Sequence, residues 1–332
     1  MDVQKNAFGV TAPVSMDNFL KAMTYGFPDE IPMRAGIMPA MWLRLGKEMV
    51  KFAKEYPDFI PEIPDLSRPE DYIPATHHVG SYTDEWGCVW GNLDEGMFSI
   101  VTGHPAPDRE DINMLKIPEN RDGNLPHGFM YLRLLDLRGF EEAMVDFAEE
   151  PDELQVLIDK VLEYNCRQIE IAVKDDNQII RFGDDLGMQN GLAISPEKWR
   201  KYLKPCYKKM YSIVHEAGKY VYMHTDGKIY EIIPDLAESG VDIINPEIGP
   251  NGPDNLARVC KGKYPLEIYI DSQMLPFATP GQIDSHVREC VEALYLPQGG
   301  LALIAELNYE IPLQNCAAAL DAMRKYKYWV CT

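Results

Sequence analysis

Residues 179–185 read Ile-Ile-Arg-Phe-Gly-Asp-Asp, and residues 220–227 read Tyr-Val-Tyr-Met-His-Thr-Asp-Gly. Each stretch is a short apolar run that ends in polar residues. Between them, residues 195–197, Ser-Pro-Glu, provide a helix N-cap, a proline at the first helical position and an acid in the first turn, and apolar residues then recur at helical spacing until Gly218. The pattern predicts two parallel strands joined by a crossover helix.

The same alternation of strands and helices extends along the chain. Further helices are predicted over residues 152–172 and from Thr279-Pro280 onward. The predicted strands are residues 31–37, 129–135, 179–182, 220–223, 242–245, 266–270 and 301–305. Seven strands, with an eighth hidden or irregular, predict an α/β fold, a single (β/α)8 TIM-barrel domain over residues 1–332 with an N-terminal extension over about residues 1–30.

Residues 56–126 differ from the remainder of the chain because they are rich in proline, glycine, aspartate and aromatic residues and show weak periodicity. A segment of this length within a compact domain is typically a functional lid or wall, or it contains short elements of its own. We expect it to lie over the mouth of the barrel.

The charge balance narrows the classes of function. The chain has 52 Asp and Glu residues against 32 Lys and Arg residues, a formal net charge of −20. Nucleic acids and anionic lipid surfaces attract positive protein surfaces, so we expect neither as a partner. No window approaches the ~20 apolar residues of a membrane helix, and the first residues lack a signal-peptide pattern. We therefore expect a cytoplasmic protein, and the seven scattered cysteines, without a C-x-x-C pair, predict reduced thiols.

Ionisable residues follow five successive predicted strands, at the strand ends where barrel enzymes place their chemistry. The candidate ligands or acid and base groups are Asp184, Asp185, His224, Asp226, Glu247, Asp271 and Glu306. We take Asp184, Asp185 and His224 as candidate catalytic residues, because adjacent carboxylates can raise the pKa of one member and so provide an acid. The alternative is that the two aspartates cap a helix or bind backbone groups.

A metal site is predicted around His224 and Asp226. Side chains two residues apart in an extended strand leave on the same face and can hold one ion. A third oxygen ligand from another strand would complete a site with an open position, as catalytic metals use. The alternative is that His224 bonds its neighbours while the acids cap helices or stay solvated.

Contacts to a substrate are expected from two sources. One is the segment around Glu85 and Trp86, which mixes acids with aromatic residues and suits a pocket wall as well as simple packing. The other is the group of strand-end residues Asn245, Glu247 and Asp271.

Residues 184–189, 194–197, 224–227 and 240–246 read Asp-Asp-Leu-Gly-Met-Gln, Ile-Ser-Pro-Glu, His-Thr-Asp-Gly and Gly-Val-Asp-Ile-Ile-Asn-Pro. With these motifs, the chain resembles the uroporphyrinogen decarboxylase superfamily. The resemblance implies a single (β/α)8 barrel and one of two activities, decarboxylation of a tetrapyrrole or corrinoid-dependent methyl transfer. The decarboxylase signatures P-V-W-x-M-R-Q-A-G-R-Y and F-S-D are missing, since residues 31–42 read Ile-Pro-Met-Arg-Ala-Gly-Ile-Met-Pro-Ala-Met-Trp.

The thiol-activating methyltransferases of this superfamily bind zinc through H-x-C and a later cysteine. Here the first pair is His224 and Asp226, and Tyr309 stands at the later position. The resemblance therefore implies a divalent metal, expected to be zinc, on His224, Asp226 and Glu306, with Tyr309 and Glu310 as alternative third ligands. Imidazole and carboxylates form a harder, more Lewis-acidic centre than thiolates, which suits an oxygen atom.

The chain is thus similar to the methyltransferase component of an O-demethylase in anaerobic one-carbon metabolism. It is expected to cleave the methyl–oxygen bond of a small methoxylated substrate, expected to be aromatic, and to pass the methyl group to a reduced corrinoid. A separate carrier protein must hold that corrinoid, because the sequence has no D-x-H-x-x-G segment. The alternatives are a uroporphyrinogen-decarboxylase-like lyase acting on a tetrapyrrole carboxylate and a non-enzymatic corrinoid-binding protein.

Overall fold

The computed structural model describes residues 15–329. The helices are α1 Met16–Met23, α2 Pro39–Leu45, α3 Lys47–Glu55, α4 Arg109–Met114, α5 Tyr131–Arg138, α6 Phe140–Glu149, α7 Asp152–Ala172, α8 Pro196–Tyr202, α9 Lys204–Glu216, α10 Ile233–Glu238, α11 Ile248–Asn251, α12 Pro253–Cys260, α13 Pro280–Leu294 and α14 Leu313–Tyr326. The strands are β1 Met33–Ile37, β2 Gly80–Thr83, β3 Val89–Asn92, β4 Ile100–Gly103, β5 Ile179–Gly183, β6 Gly187–Met188, β7 Gly191–Leu192, β8 Tyr220–Thr225, β9 Ile243–Pro246, β10 Leu266–Tyr269 and β11 Leu301–Leu307. Short 3-10 helices span Pro69–Asp71 and Ala75–His77.

The chain divides into two compact units. The first comprises residues up to 79, residues 92–99 and the chain from residue 246 onward, and the second comprises residues 80–91 and 100–245. Both contain parallel strands accompanied by helices, which is an α/β fold.

Three strands of the first unit lie in the order β1-β11-β10, and both pairings are parallel. Every residue of β1 and β10 is buried, as expected for parallel strands that are covered on both faces. The buried set includes Arg34 of β1 and Glu267 of β10, whose guanidinium and carboxylate form two hydrogen bonds of 2.7 and 2.6 Å. This bidentate geometry compensates for removing both charges from water.

Three strands of the second unit lie in the order β9-β8-β5, and β5 runs parallel to β8 with Gly183 opposite His224. Helix α7 packs against α9. Between helices and strands, aromatic rings form a continuous cluster in which Phe182 contacts Phe129 and Tyr211 at centroid distances of 5.1 and 5.0 Å. This cluster anchors β5, whose end leads into the Asp184-Asp185 pair.

Six of the seven strand predictions are confirmed, with small shifts at their ends. The exception is residues 129–135, which were expected to form a strand and instead lead into helix α5. Its buried residues include Tyr131, Leu134, Leu137 and Arg138, which follow helical spacing. A short apolar run does not by itself distinguish a strand from a helix. The carboxylate that accepts the first N–H groups of this helix belongs to Asp184, which lies far away along the chain.

The helix predictions are confirmed with one change. Helix α7 has the predicted bounds, and Thr279 forms the capping box that begins α13. The helix expected to run unbroken from Ser195 is interrupted at Leu203, which separates α8 from α9. Pro205 lies in the first turn of α9, where its missing N–H is tolerated. Inside one continuous helix, the same proline would remove a hydrogen bond and clash with the preceding turn.

The segment 56–126 contains short elements of its own, namely the 3-10 helices, strands β2 to β4 and helix α4. Of the predicted N-terminal extension, residues 1–14 lie outside the described residues and α1 lies within them. The described cysteines are free and buried, and Cys331 lies outside the described residues. Over residues 15–329, no helix has both the length and the hydropathy needed to cross a bilayer.

Two glycines allow the loops that follow β5 and β8 to touch backbone to backbone. A Cβ on Gly187 would lie 2.6 Å from the carbonyl carbon of Gly227, and a Cβ on Gly227 would overlap the backbone of Gly187. Gly227 also has a φ of +79°, in the left-handed region. The Gly187 N–H donates to the carbonyl of Asp226 at 3.1 Å, so the two loops are held in one arrangement.

We expect Gly227→Ala to lower the free energy of unfolding by ~2–5 kcal/mol, combining the strain of a side chain at positive φ with overpacking. Urea denaturation followed by circular dichroism measures it. Gly281→Ala is the control, because a Cβ there meets no heavy atom within 4 Å and the residue lies in helix α13. Equal stability of the two variants would contradict the close contact.

Candidate active site

Asp184 follows β5 and is fully buried. Its carboxylate accepts hydrogen bonds from the backbone N–H groups of Tyr131 and Leu132, at 2.5 and 2.9 Å, and from the hydroxyl of Tyr207 at 2.6 Å. Burial raises the pKa of Asp184 to about 6, although these three donors lower it. Because Tyr131 and Leu132 are the first residues of α5, Asp184 caps that helix from outside it. The structure favours this structural role, and the predicted role as proton donor stays untested.

Asp185 points to a different set of partners. Its Oδ2 lies 2.9 Å from Nε2 of His127, and its Oδ1 accepts the backbone N–H of Asp226 at 3.1 Å. His127 reaches this position because the Gly128 N–H donates to the Gly183 carbonyl at 2.8 Å and a Cβ on Gly183 would lie only 2.5 Å from His127 Nδ1. The turn before α5 therefore places His127, a site residue that was not predicted from the sequence, beside Asp185.

His224 is the next-to-last residue of β8 and is 5% exposed. Its Nε2 lies 3.2 Å from Oδ1 of Asp226, and its Nδ1 lies 2.8 Å from Oδ1 of Asn245. His224 and Asp226, predicted to lie on one face, are in direct contact, which also fits the alternative in which His224 bonds its neighbours. Asn245, predicted to contact substrate, contacts His224.

The charges around His224 determine its protonation. Burial lowers the pKa of His224, but the hydrogen bond and charge of Asp226 together with the charge of Asp185 outweigh it and raise the pKa to about 9. Burial raises the pKa of Asp185, but the hydrogen bond and charge of His127 and the charge of His224 bring it below its usual range. At neutral pH, a cationic imidazole therefore lies between carboxylates.

His127, Asp185 and His224 each offer one ligand atom, and these three atoms lie within 4.8 Å of one another. The two histidine rings have their centroids 5.6 Å apart. Two imidazole nitrogens and one carboxylate oxygen form a donor set that zinc and similar divalent ions accept, and three protein ligands leave a further position open. The residues therefore fit a divalent ion, once His224 has lost its proton.

The predicted residues Glu85 and Trp86 face α7. Glu85 accepts the Tyr164 hydroxyl at 3.1 Å, and the buried Trp86 ring lies edge-on to Tyr164 at 5.2 Å between centroids. Their neighbour Asp84, which sequence reasoning did not single out as a site residue, accepts Nη1 of Arg133 at 2.6 Å and thereby ties this segment to α5. A substrate contact by Glu85 or Trp86 stays a prediction.

Five further predicted residues lie in the first unit: Glu247, Asp271, Glu306, Tyr309 and Glu310. Glu306 lies in β11 beside Gly36 of β1. Asp271 accepts the N–H groups of the turn that follows it. The Tyr309 hydroxyl donates to Asp94 at 3.4 Å and its ring lies under Arg44, with the guanidinium carbon 3.5 Å from the centroid. Their roles as ligands or substrate contacts stay predictions.

Comparison with known proteins gives a matching family model and solved structures of similar fold. The family model described as uroporphyrinogen decarboxylase (URO-D) matches residues 135–326, more than half of the chain. A methyltransferase from Methanosarcina mazei has a similar fold, with a TM-score of 0.63 and 18% sequence identity over 92% of this chain and 97% of that one. A glycosylated endo-beta-1,4-xylanase of glycoside hydrolase family 10 from Gloeophyllum trabeum has a TM-score of 0.41 and 10% identity over 91% and 98%. No curated protein matches the sequence.

The bond from Tyr207 to the buried Asp184 carboxylate gives a stability prediction. Tyr207→Phe should lower the free energy of unfolding at pH 7 by ~1–3 kcal/mol, because a buried charge loses a donor. The folded-state pKa of Asp184 is about 6, so the carboxylate gains a proton as pH falls through that value and the loss should shrink there.

Tyr211→Phe is the matched control for this measurement. Tyr211 lies one turn further along α9, is equally buried, and donates to the sulfur of Met223, a weak acceptor, at 3.3 Å. Chemical denaturation at pH 7 and pH 5 compares the variants. A loss for Tyr207→Phe that matches the control, or that grows at pH 5, would show that Asp184 does not depend on this donor.

Proposed function

The chain belongs to the uroporphyrinogen decarboxylase family, and from this premise we propose that it is a methyltransferase that removes a methyl group from the oxygen of a methoxylated aromatic compound. The acceptor is the reduced corrinoid of a separate carrier protein. The observation that carries the proposal is the cluster of His127, Asp185 and His224, with ligand atoms within 4.8 Å of one another. The fold shared with the methanogen methyltransferase is compatible with it.

The proposal includes a closed (β/α)8 barrel as the scaffold. In support, the parallel strands β1, β5, β8, β10 and β11 are each followed along the chain by at least one helix. In such barrels the residues after the strands form the active site. Asp185 and Asp226 occupy that position after β5 and β8.

We propose that His127, Asp185 and His224 hold a divalent ion, expected to be zinc. Asp226 remains part of the site through its contact with His224. Glu306 lies in the first unit, and its role as a ligand stays a prediction. When bound, the ion would supply Lewis-acid stabilisation to the oxygen that loses its methyl group.

The residues of the chain have distinct tasks in this reaction. Asp185 lies 2.9 Å from Nε2 of His127 and adds negative charge that favours a cation. Asp226, with Oδ1 3.2 Å from Nε2 of His224, adds a second negative charge beside the cluster. A mechanism without a metal would use the same residues. His224, with a pKa of about 9, is cationic at neutral pH and can give a proton to the departing oxygen.

The donor set supports an oxygen leaving group rather than a thiol substrate. Burial raises the pKa of the thiols of Cys88, Cys206, Cys260, Cys290 and Cys316 to about 12, so these groups stay protonated. Among the residues that the structure describes, no cysteine belongs to the cluster of His127, Asp185 and His224. The histidines and carboxylates that do converge form a harder centre, which suits oxygen.

The alternative, a lyase acting on a tetrapyrrole carboxylate, receives less support. Such a substrate needs cationic groups, and the stretch that corresponds to the missing decarboxylase signature offers Arg34. Arg34 is buried, and its guanidinium already donates to both carboxylate oxygens of Glu267. The alternative predicts release of carbon dioxide from a tetrapyrrole acid without any cobalt-bearing protein.

The test combines metal analysis with a methyl-transfer assay. Purified protein should contain a stoichiometric divalent ion, and mixing it with a reduced corrinoid protein and methoxylated aromatic compounds should give the absorption spectrum of methylated cobalt. His224→Ala should remove the ion and lower the transfer rate by at least ~100-fold, as expected for loss of a ligand and charge stabiliser. His127→Ala should also weaken metal binding.

His215→Ala is the control, because His215 pairs with Asp242 on the exposed surface of the same unit at 2.8 Å. It should keep both the ion and the rate. Protein that holds no ion while His224→Ala transfers methyl groups at the normal rate would end the Lewis-acid version. If the protein holds no ion but methyl transfer still requires His224, the mechanism without a metal remains.

A further inference from the structure

We propose that Asn245 is a positioning residue that holds the imidazole of His224, so that Nε2 faces the ligand atoms of His127 and Asp185. The inference rests on the proposed function and concerns the same site. It assigns Asn245 a task different from the substrate contact expected from the sequence. The assignment follows from the hydrogen bond between the two side chains, their burial and the charges around them.

Asn245 lies near the end of β9, which neighbours β8 in the second unit. It is fully buried, and its Oδ1 lies 2.8 Å from Nδ1 of His224. An amide oxygen only accepts hydrogen bonds, so Nδ1 must carry the proton in this pair. The other ring nitrogen, Nε2, is then the atom that can serve as a metal ligand.

The geometry on the other side of the ring agrees with this division. Nε2 lies 3.2 Å from Asp226, and His224 belongs with His127 and Asp185 to the group of ligand atoms. Turning the ring over would take Nδ1 away from Asn245 and remove the donor that its buried oxygen accepts. Metal-binding histidines typically have their second nitrogen held in this way.

The neutral amide also suits the charge of the site. Asp185 and Asp226 already place two carboxylates near His224. A third carboxylate at position 245 would add another buried negative charge, which is costly unless it is paired. Asparagine orients the ring without that charge.

The first experiment needs no metal. In protein labelled with ¹⁵N-histidine at pH 7, the hydrogen-bonded Nδ1 proton of His224 should give a downfield signal. Asn245→Leu should move this signal upfield, because the acceptor is lost. Asn165→Leu is the matched control, since Asn165 is also a buried asparagine of the second unit and donates to the carbonyl of Phe129 at 2.7 Å. The control should leave the His224 signal unchanged.

The second experiment measures zinc affinity by competition with a chelating dye. Asn245→Leu should weaken Zn²⁺ binding about 10–100-fold, as found for partners of metal-ligating histidines. Asn245→Asp restores an acceptor at the same place and should recover part of the affinity, with a loss of stability from the added buried charge. Asn165→Leu should match the unmodified protein. A purely structural role would predict similar changes for both leucine variants.

The outcomes separate this inference from the proposed function. An unchanged His224 signal in Asn245→Leu overturns the inference whatever the metal content. Unchanged zinc affinity with a raised KM for the methoxylated compound also overturns it and returns Asn245 to the substrate. Failure of the unmodified protein to bind Zn²⁺ would overturn the proposed metal site, while the proton signal would still decide whether Asn245 holds His224.

Discussion

The second unit depends on how the chain accommodates one carboxylate that water cannot reach. An unpaired charge in such a place is strongly unfavourable, so donors must surround it. The first two N–H groups of α5 and the hydroxyl of Tyr207 do so, and they join a strand end to two helices. With Asp184 directed into the interior, its neighbour Asp185 is left to face His127. The position of the candidate active site is therefore a consequence of a structural requirement one residue earlier.

Two loops then behave as one support for the polar cluster. Gly187 and Gly227 let their backbones meet, and the N–H of Asp226 donates to Asp185. Asp226 in turn reaches His224, so residues that follow separate strands share a single network of hydrogen bonds. A cluster held by backbone groups on both loops keeps its geometry without relying on long, mobile side chains. That rigidity suits either a metal or a charged imidazole.

Sequence reasoning recovered the parts of the fold that are encoded locally. The strands β5 and β8 and the helix α7 follow from apolar periodicity and flanking residues, and the contact of His224 with Asp226 follows from their spacing. Helix α5 was missed because its first N–H groups bind Asp184, more than 50 residues away along the chain. His127 was missed for the same reason, since nothing near it in the sequence reveals Asp185 as its partner. Spacing also could not show which of the two adjacent aspartates is buried.

The buried cysteines carry a practical consequence. Within residues 15–329, six thiols are distributed over both units, from Cys88 near α5 to Cys316 in α14, and burial keeps them in the protonated form that reacts slowly with alkylating reagents. In a variant lacking Cys331, the rate at which each thiol is alkylated would report how often its surroundings open. The buried cysteines thus serve as natural probes of local opening, with no label introduced into the core.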